Sequence, residues 1–291
     1  MDNNRVLIIG TEGLVGSALL ATFSKQDYVI GAADIGGVGT NMFFCDITLK
    51  DTLGSIFSQF KPNIVILTAA LSNVEYCEEF PEKSEAVNIQ GLKNVLSYLK
   101  PDKDKFVFFS SDYVFDGSDG PYAEDREPNP INVYGKHKLI AEKLISENIK
   151  HHLIIRTTGV YGPEKRGKNF VLSLIRNLKS GTKVKVPHDQ IATPIYSLNL
   201  AQAVEEVVKS DNSGTYNIVG TDLVDRYAFA QEVCDIFELP KDLLIPVSTK
   251  ELGQKALRPL KAGLITAKIE AIISTRLMGC KEGLRTMKRE I

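Results

Sequence analysis

A glycine-rich turn between an apolar run and a helical pattern constrains the fold more than any other feature of this chain. The run Val6-Leu7-Ile8-Ile9 passes into Gly10-Thr11-Glu12-Gly13-Leu14-Val15-Gly16, and residues 17–23 continue as a helix. Glycines here let the backbone turn tightly, let a pyrophosphate approach closely and let the helix pack on the strand. The N–H groups that open such a helix bind anions. The segment therefore predicts a strand, a phosphate-binding turn and a helix.

Apolar runs alternate with amphipathic segments through the first half of the chain. The runs lie at residues 6–9, 28–30, 42–44, 64–67, 106–109 and 153–155, and the helical patterns at about 13–25, 49–60, 82–100 and 132–147. The runs are uninterrupted, which is typical of strands covered by helices on both faces of a parallel sheet. The sequence predicts an α/β fold with a doubly wound parallel sheet.

The rhythm changes after about residue 156. Helical segments near 168–180, 198–210, 226–237 and 261–272 mix with short strand-like pieces at 183–186 and 215–219. We expect residues 1–156 to form a Rossmann domain that binds NAD(P). Residues 157–291 should form mainly a smaller substrate-binding lobe, with a segment at about 190–220 returning to the first domain.

Composition excludes several classes of function. The chain has 35 Lys and Arg against 36 Asp and Glu, so its net charge of −1 offers no basic field for nucleic acid. No apolar stretch approaches the ~18 residues that a membrane span needs, and no signal peptide precedes the first strand. We expect a cytoplasmic protein. Its four cysteines have no zinc-site spacing and should be reduced, buried thiols.

An acid closes the second strand eighteen residues past Gly16. The carboxylate of Asp34 would accept hydrogen bonds from both ribose hydroxyls and repel a 2′-phosphate, which favours NAD(H) over NADP(H). The alternative is that Asp34 is a turn residue before Gly36 and Gly37.

A tyrosine and a lysine lie four residues apart on the helix predicted at 132–147. Tyr134 and Lys138 would share one helix face. Two further pairs with this spacing fail on local structure, because Tyr161 precedes Gly-Pro and Tyr122 begins a polar, proline-bounded segment. A nearby ammonium and an oxidised nicotinamide would lower the pKa of the phenol, so that Tyr134 exchanges a proton with a substrate oxygen.

A third polar group would hold that oxygen. Ser111 lies just beyond the fifth strand, at the carboxyl edge where ligands of such sheets bind, although a serine there is also an ordinary turn residue. Arg258 is the best candidate for a diphosphate contact, because its planar fork suits phosphate oxygens. Lys165, Arg166 and Lys168 form a rival cluster.

Taken together, these motifs resemble the extended short-chain dehydrogenase/reductase family, and within it the dTDP-4-dehydrorhamnose reductase branch. The likeness covers nearly the whole chain. The motifs that carry it are Ser110-Ser111-Asp112-Tyr113-Val114-Phe115-Asp116-Gly117, Tyr134-Gly135-Lys136, Cys45-Asp46-Ile47-Thr48, Arg156-Thr157, Asn169-Phe170 and Arg258-Pro259.

The resemblance implies a nucleotide-sugar substrate and hydride transfer from NAD(P)H to a C4 ketone, with Tyr134 protonating the oxygen. It implies a catalytic triad of Ser111, Tyr134 and Lys138. The cofactor contacts it implies are Gly10, Gly13, Leu14, Val15 and Gly16 at the pyrophosphate, Asp34 at the ribose, Asp46 and Ile47 at adenine, Ala69 and Ala70 in the cleft, and Tyr134 and Lys138 at the nicotinamide end. The substrate contacts it implies are Tyr113, Asn169 and Arg258.

Two departures from the family pattern bear on specificity. Gly159 stands where many rhamnose-forming members have a tryptophan beside the sugar, which predicts more room there. Ala18 stands where some members have a carboxylate that bridges a dimer through magnesium, so we expect no metal. The resemblance leaves the choice between a monomer and a homodimer open.

Three other functions occur among similar proteins. Sugar-nucleotide dehydratases need an acid directly after the aspartate, where this chain has Tyr113. Sugar 4-epimerases use the same triad and stay an alternative. A non-catalytic, NAD(P)-binding regulatory subunit of methionine adenosyltransferase also shares the Ser-Ser-Asp-Tyr-Val-Phe-Asp-Gly stretch and stays a second alternative.

Overall fold

A seven-stranded parallel sheet forms the centre of the molecule in a computed structural model that describes residues 4–23, 28–33 and 42–291. The strands, from one edge to the other, are β3 (Met42–Phe44), β2 (Tyr28–Ala33), β1 (Arg5–Ile9), β4 (Ile64–Leu67), β5 (Lys105–Ser111), β6 (His151–Thr157) and β9 (Gly214–Asn217). The order in which the chain adds strands reverses between β1 and β4, because β2 and β3 extend the sheet on one side and β5 and β6 extend it on the other. The carboxyl ends of β1 and β4 therefore open a crevice between them. The predicted doubly wound sheet is confirmed.

Helices cover both faces of the sheet because each face carries a continuous row of apolar side chains. On one face β1, β5 and β6 pack against α1 (Leu14–Thr22) and α8 (Ser197–Lys209). The helical segments on the other face are α2 (Lys50–Phe60), the joined turns α4 (Pro81–Glu85), Ala86–Gly91 and α5 (Leu92–Leu96), and α6 (Val133–Asn148). A short helix, α3 (Val74–Glu79), follows β4.

A third apolar cluster forms the C-terminal lobe. Its helices are α7 (Phe170–Lys179), α9 (Arg226–Phe237) and α11 (Cys280–Lys288), with the short α10 (Ala267–Glu270) nearby. Its strand pairs are β7 (Val184–Pro187) with β11 (Leu244–Val247), and β8 (Ile191–Ala192) with β10 (Val224–Asp225). All four cysteines are buried. Within the described ranges, no helix is both long and apolar enough to cross a bilayer.

The structure corrects one sequence prediction in this half of the chain. The helix predicted at 261–272 is wrong over most of its length, because Lys261 pairs with Ile191 of β8 and Leu264 pairs with Tyr122. The strand-like piece near 215 is β9, the edge strand of the main sheet beside β6, and it lies in the segment at about 190–220 that we expect to return to the first domain.

Gly16 shows why the first turn needs glycine. A Cβ placed there would lie 2.3 Å from the carbonyl oxygen of Gly10, so any larger residue pushes α1 away from β1. At Gly13, the residue that precedes α1, the nearest atom to such a Cβ is 3.4 Å away. The two glycines therefore differ in what they contribute to the fold.

We expect Gly16→Ala to lower the free energy of unfolding by about 1–3 kcal/mol through overpacking. Gly13→Ala is the matched control and should change it by less than about 1 kcal/mol. Urea unfolding followed by circular dichroism measures both. Equal midpoints for the two variants would contradict the packing argument.

Candidate active site

Most of the residues predicted to hold a cofactor lie along the carboxyl edge of the sheet. Gly10 to Gly16 follow β1, Asp46 and Ile47 follow β3, and Ala69 and Ala70 follow β4. Asp34 lies outside the described residues. Because parallel strands end on one edge, these positions line the crevice between β1 and β4.

Two observations fit a dinucleotide in this crevice. No side chain caps the N-terminus of α1, where Gly13 precedes the first turn, so its first N–H groups could donate to the phosphates of a dinucleotide. The buried hydroxyl of Thr157, opposite Ser111 at the end of β6, has no hydrogen-bond partner in the described part of the protein. A polar ligand at this edge would supply one.

The predicted triad converges at the ends of β5 and α6. Asn132 caps α6 by accepting from the N–H of Gly135 at 2.8 Å, which places Tyr134 and Lys138 one turn apart. The Lys138 Nζ donates to the carbonyl oxygen of Phe109 at 2.7 Å and lies 5.7 Å from the Tyr134 ring centroid. Ser111 ends the same strand as Phe109.

The protein by itself favours the neutral form of the Tyr134 phenol. Burial raises the pKa of Tyr134 above its ordinary value, and the nearby Asp112 raises it further. The hydroxyl of Ser111 acts in the opposite direction but more weakly. Burial also lowers the pKa of Lys138 to about 8. The predicted lowering of the Tyr134 pKa requires an oxidised nicotinamide beside the phenol and stays a prediction, whereas in the protein itself desolvation dominates.

Asp112 is a buried carboxylic acid that the sequence reading left without a role. It is 2% exposed and accepts hydrogen bonds from Ser111 Oγ and Thr158 Oγ1, both at 2.8 Å. Burial raises its pKa to about 6. The only sequence signal for it was its place directly after Ser111.

A cavity of about 210 Å³ opens beside the triad and extends into the C-terminal lobe. Asp112 and Tyr113 line it from the sheet domain. Its lining from the lobe includes Thr158, Gly159, Asn169, Phe170, Gln190 and Arg226. The Tyr113 ring meets Tyr134 edge to face with centroids 5.8 Å apart, so the cavity and the phenol are neighbours.

Arg226 is a cavity residue that the sequence analysis missed. Its guanidinium lies 4.6 Å from the Phe170 ring centroid, and Nη1 donates to Gln190 Oε1 at 3.3 Å. Among the described residues no carboxylate pairs with it. The sequence feature that could have identified it is Asp225. This residue caps α9 and so places Arg226 in the first turn of the helix, at the cavity.

Arg258 lies near Tyr113 and is already paired. Its Nη2 donates to Glu75 Oε1 at 2.7 Å, and its Nε donates to Gln254 at 3.4 Å. Its buried Nη1 has no partner in the described part of the protein. The guanidinium carbon is 6.0 Å from the Tyr113 ring centroid. Glu75 therefore fixes the orientation of Arg258 and leaves one N–H group for a ligand.

Two other predicted positions have a structural function. Asn169 caps α7 by accepting from the N–H of Leu172 at 3.2 Å, and its amide donates to the Gly162 carbonyl at 2.9 Å. Gly159 has φ +55°, where a Cβ would lie 3.2 Å from Pro194 Cα. The backbone conformation itself requires glycine at this position. The absence of a tryptophan here therefore does not by itself show that the site has more room for a substrate.

The remaining candidates lie outside the cavity lining. Lys165, Arg166 and Lys168 follow Tyr161 on a loop before α7 and are exposed. In the part of the chain that the structure describes, no three His, Cys, Asp or Glu side chains form a group that could hold a metal ion.

Comparison with known proteins identifies the family. A family model described as "RmlD substrate binding domain" matches residues 4–291. The spore coat polysaccharide biosynthesis protein SpsK of Bacillus subtilis is 29% identical over 91% of this chain and 90% of that protein. Methionine adenosyltransferase 2 subunit beta of Danio rerio is 27% identical over 92% of this chain and 84% of that protein.

A solved structure has the same architecture. The dTDP-4-dehydrorhamnose reductase of Bacillus anthracis, in complex with NADP, superposes with a TM-score of 0.91 at 27% identity, over 99% of this chain and 100% of that one. Sequence motifs, family model and fold agree. The chain belongs to the RmlD substrate-binding-domain family, within the extended short-chain dehydrogenases/reductases that its motifs resemble.

Proposed function

We propose that this protein reduces the C4 ketone of a nucleotide-linked 6-deoxysugar with NADH or NADPH as hydride donor. The observation that carries the proposal is the convergence of Ser111, Tyr134 and Lys138 beside a cavity that Arg226 lines, with Arg258 next to the Tyr113 ring that also lines it. The bound NADP of the Bacillus anthracis relative supports the choice of cofactor. When bound, the dinucleotide supplies the hydride.

Tyr134 and Lys138 then control the transfer of a proton to the substrate oxygen. Because burial raises the pKa of Tyr134, the phenol keeps its proton at neutral pH, which is the form that a reductase needs. Tyr134 gives this proton to the ketone oxygen. Lys138, held on the Phe109 carbonyl, faces the ring and stabilises the phenolate that results.

We propose that the first lobe binds the cofactor and the second binds the substrate, as the sequence suggests. Residues 1–156 would hold the dinucleotide at the glycine turn, with contacts from Asp46, Ile47, Ala69 and Ala70. Residues 157–291 would hold the sugar nucleotide, with Arg226 and Arg258 at its phosphates. Tyr113 would contact the sugar.

One experiment tests the function directly. A panel of dTDP-, UDP- and GDP-linked 4-ketosugars, each assayed with NADH and with NADPH, should contain at least one substrate that is reduced. Incubation of UDP-glucose with NAD that yields its C4 epimer, with no net formation of NADH, would indicate a 4-epimerase instead.

A regulatory subunit is the second candidate, because methionine adenosyltransferase 2 subunit beta is similar over most of the chain. The preserved triad favours catalysis. Tight NAD(P) binding without turnover of any ketosugar, together with copurification of a synthetase, would favour the regulatory function.

The first variant to test is Tyr134→Phe. It should lower kcat by a factor of about 10² to 10⁴, because only the transferable proton is lost, and leave the dissociation constant of the cofactor nearly unchanged. Lys138→Met should impair both. Steady-state rates and fluorescence titration with NADPH measure the two effects. A Tyr134→Phe variant that retains most of its activity would refute the assigned mechanism.

Cofactor choice gives a second test. If Asp34 contacts the ribose, kcat/KM should be higher with NADH than with NADPH, and Asp34→Ala should reduce the ratio by removing the charge that repels the 2′-phosphate. Preference of the wild type for NADPH, or an unchanged ratio in the variant, would contradict the role of Asp34.

Arg226 gives a third test, with dTDP and dTMP as probes. Loss of a hydrogen bond between charged groups costs about 1.5–3 kcal/mol, so Arg226→Gln should weaken dTDP binding by a factor of about 10 to 100. The weakening should be smaller for dTMP, which lacks the second phosphate. Isothermal titration calorimetry measures both. Arg285→Gln, an exposed change on α11 away from the cavity, is the control. Equal losses for the two nucleotides would contradict a diphosphate contact.

A further inference from the structure

The single proton of the Ser111 hydroxyl is donated to the neighbouring Asp112 carboxyl group. Ser111 Oγ donates to Asp112 Oδ1 at 2.8 Å and accepts from the N–H of Tyr113 at 3.2 Å. A hydroxyl has one proton to donate. While this arrangement persists, Ser111 offers a substrate oxygen a lone pair and no donor.

Asp112 accepts that proton as a buried carboxylate, which Arg226 faces without an ion pair to it in the described part of the chain. Besides Ser111, it accepts from Thr158 Oγ1 at 2.8 Å. The titratable groups that face it are Tyr113 on its own turn, Tyr134 from α6 and Arg226 from α9. No Lys, Arg or His of the described residues forms an ion pair with it. If Ser111 turned away from an ionised Asp112, a buried charge would lose one of its few donors.

We propose that Asp112 is a positioning residue whose protonation turns the Ser111 hydroxyl toward the substrate oxygen. A protonated Asp112 donates to Ser111 Oγ, which then accepts from Asp112 and from the Tyr113 N–H and donates its own proton to the ketone. All three groups are satisfied in this arrangement. The proposal rests on the proposed ketone reduction, in which the proton transferred to product still comes from Tyr134.

The proposal fixes the sign of a pH effect. The active form carries the proton on Asp112, so kcat/KM for reduction should be highest at low pH and fall as pH rises through the pKa of Asp112. Burial raises that pKa to about 6. Above it, kcat/KM should fall up to tenfold per pH unit until the activity of the ionised form is reached.

Three variants distinguish positioning from a merely structural role. Thr158→Val removes a hydrogen bond that favours the carboxylate, so the inflection should move to higher pH, and Thr158→Ser should restore it. Asp112→Asn presents a neutral donor to Ser111 at every pH, so the fall between pH 5 and pH 8 should disappear. A structural role predicts a lower rate at all pH values with the inflection unmoved, and that result would overturn the proposal.

Infrared difference spectroscopy tests the protonation without any substrate. The carbonyl stretch of a protonated carboxyl group should titrate near pH 6 in the protein with NADP bound and be absent in Asp112→Asn. A midpoint at the ordinary aspartate value of about 3.9 would overturn the proposal even if ketosugars are reduced. Failure of every ketosugar to react would count against the proposed function, while the infrared midpoint would still decide the charge of Asp112.

Discussion

The hydrogen bond from Lys138 to the carbonyl of Phe109 joins helix α6 to strand β5, and the geometry of the site depends on it. The carbonyl lies two residues before Ser111, so one contact sets the distance between the lysine, the tyrosine one turn earlier and the serine at the strand end. A second link holds the same helix to β6, where Arg156 donates to both carboxylate oxygens of Glu142 at 3.0 and 2.7 Å. Both links are buried, and breaking either would leave a buried polar group unpaired.

The burial of the site residues also shifts their pKa values. Tyr134 and Asp112 both keep protons longer than they would in water, and Lys138 loses its proton more easily. A positively charged nicotinamide, present only when oxidised cofactor is bound, would favour the phenolate and so reverse the effect of burial on Tyr134. The burial of Tyr134 favours the protonated phenol, which is the proton-donating form that the proposed reduction requires.

Sequence patterns predicted the sheet and the triad because both depend on local signals. Uninterrupted apolar runs identified the first six strands, and the spacing of Tyr134 and Lys138 needed only a helix that begins near Asn132. The helix predicted at 261–272 failed because Lys261 and Leu264 pair with Ile191 of β8 and with Tyr122, which are remote in sequence. The spacing of Tyr134 and Lys138 likewise does not reveal how strongly burial favours the neutral phenol, because desolvation is set by side chains from other elements.

Arg226 and Arg258, the two arginines near Tyr113, are held in place in different ways. Arg258 is oriented by Glu75 of the sheet domain, which uses its other carboxylate oxygen to accept from the N–H of Lys255. Arg226 is held within the lobe by Phe170 and a neutral Gln190. The pair therefore presents one arginine whose charge is offset by Glu75 and one that is not. Because the two cations beside Tyr113 repel each other, an anion that bridged them would stabilise both, which is the physical basis for assigning them to the phosphates of the proposed substrate.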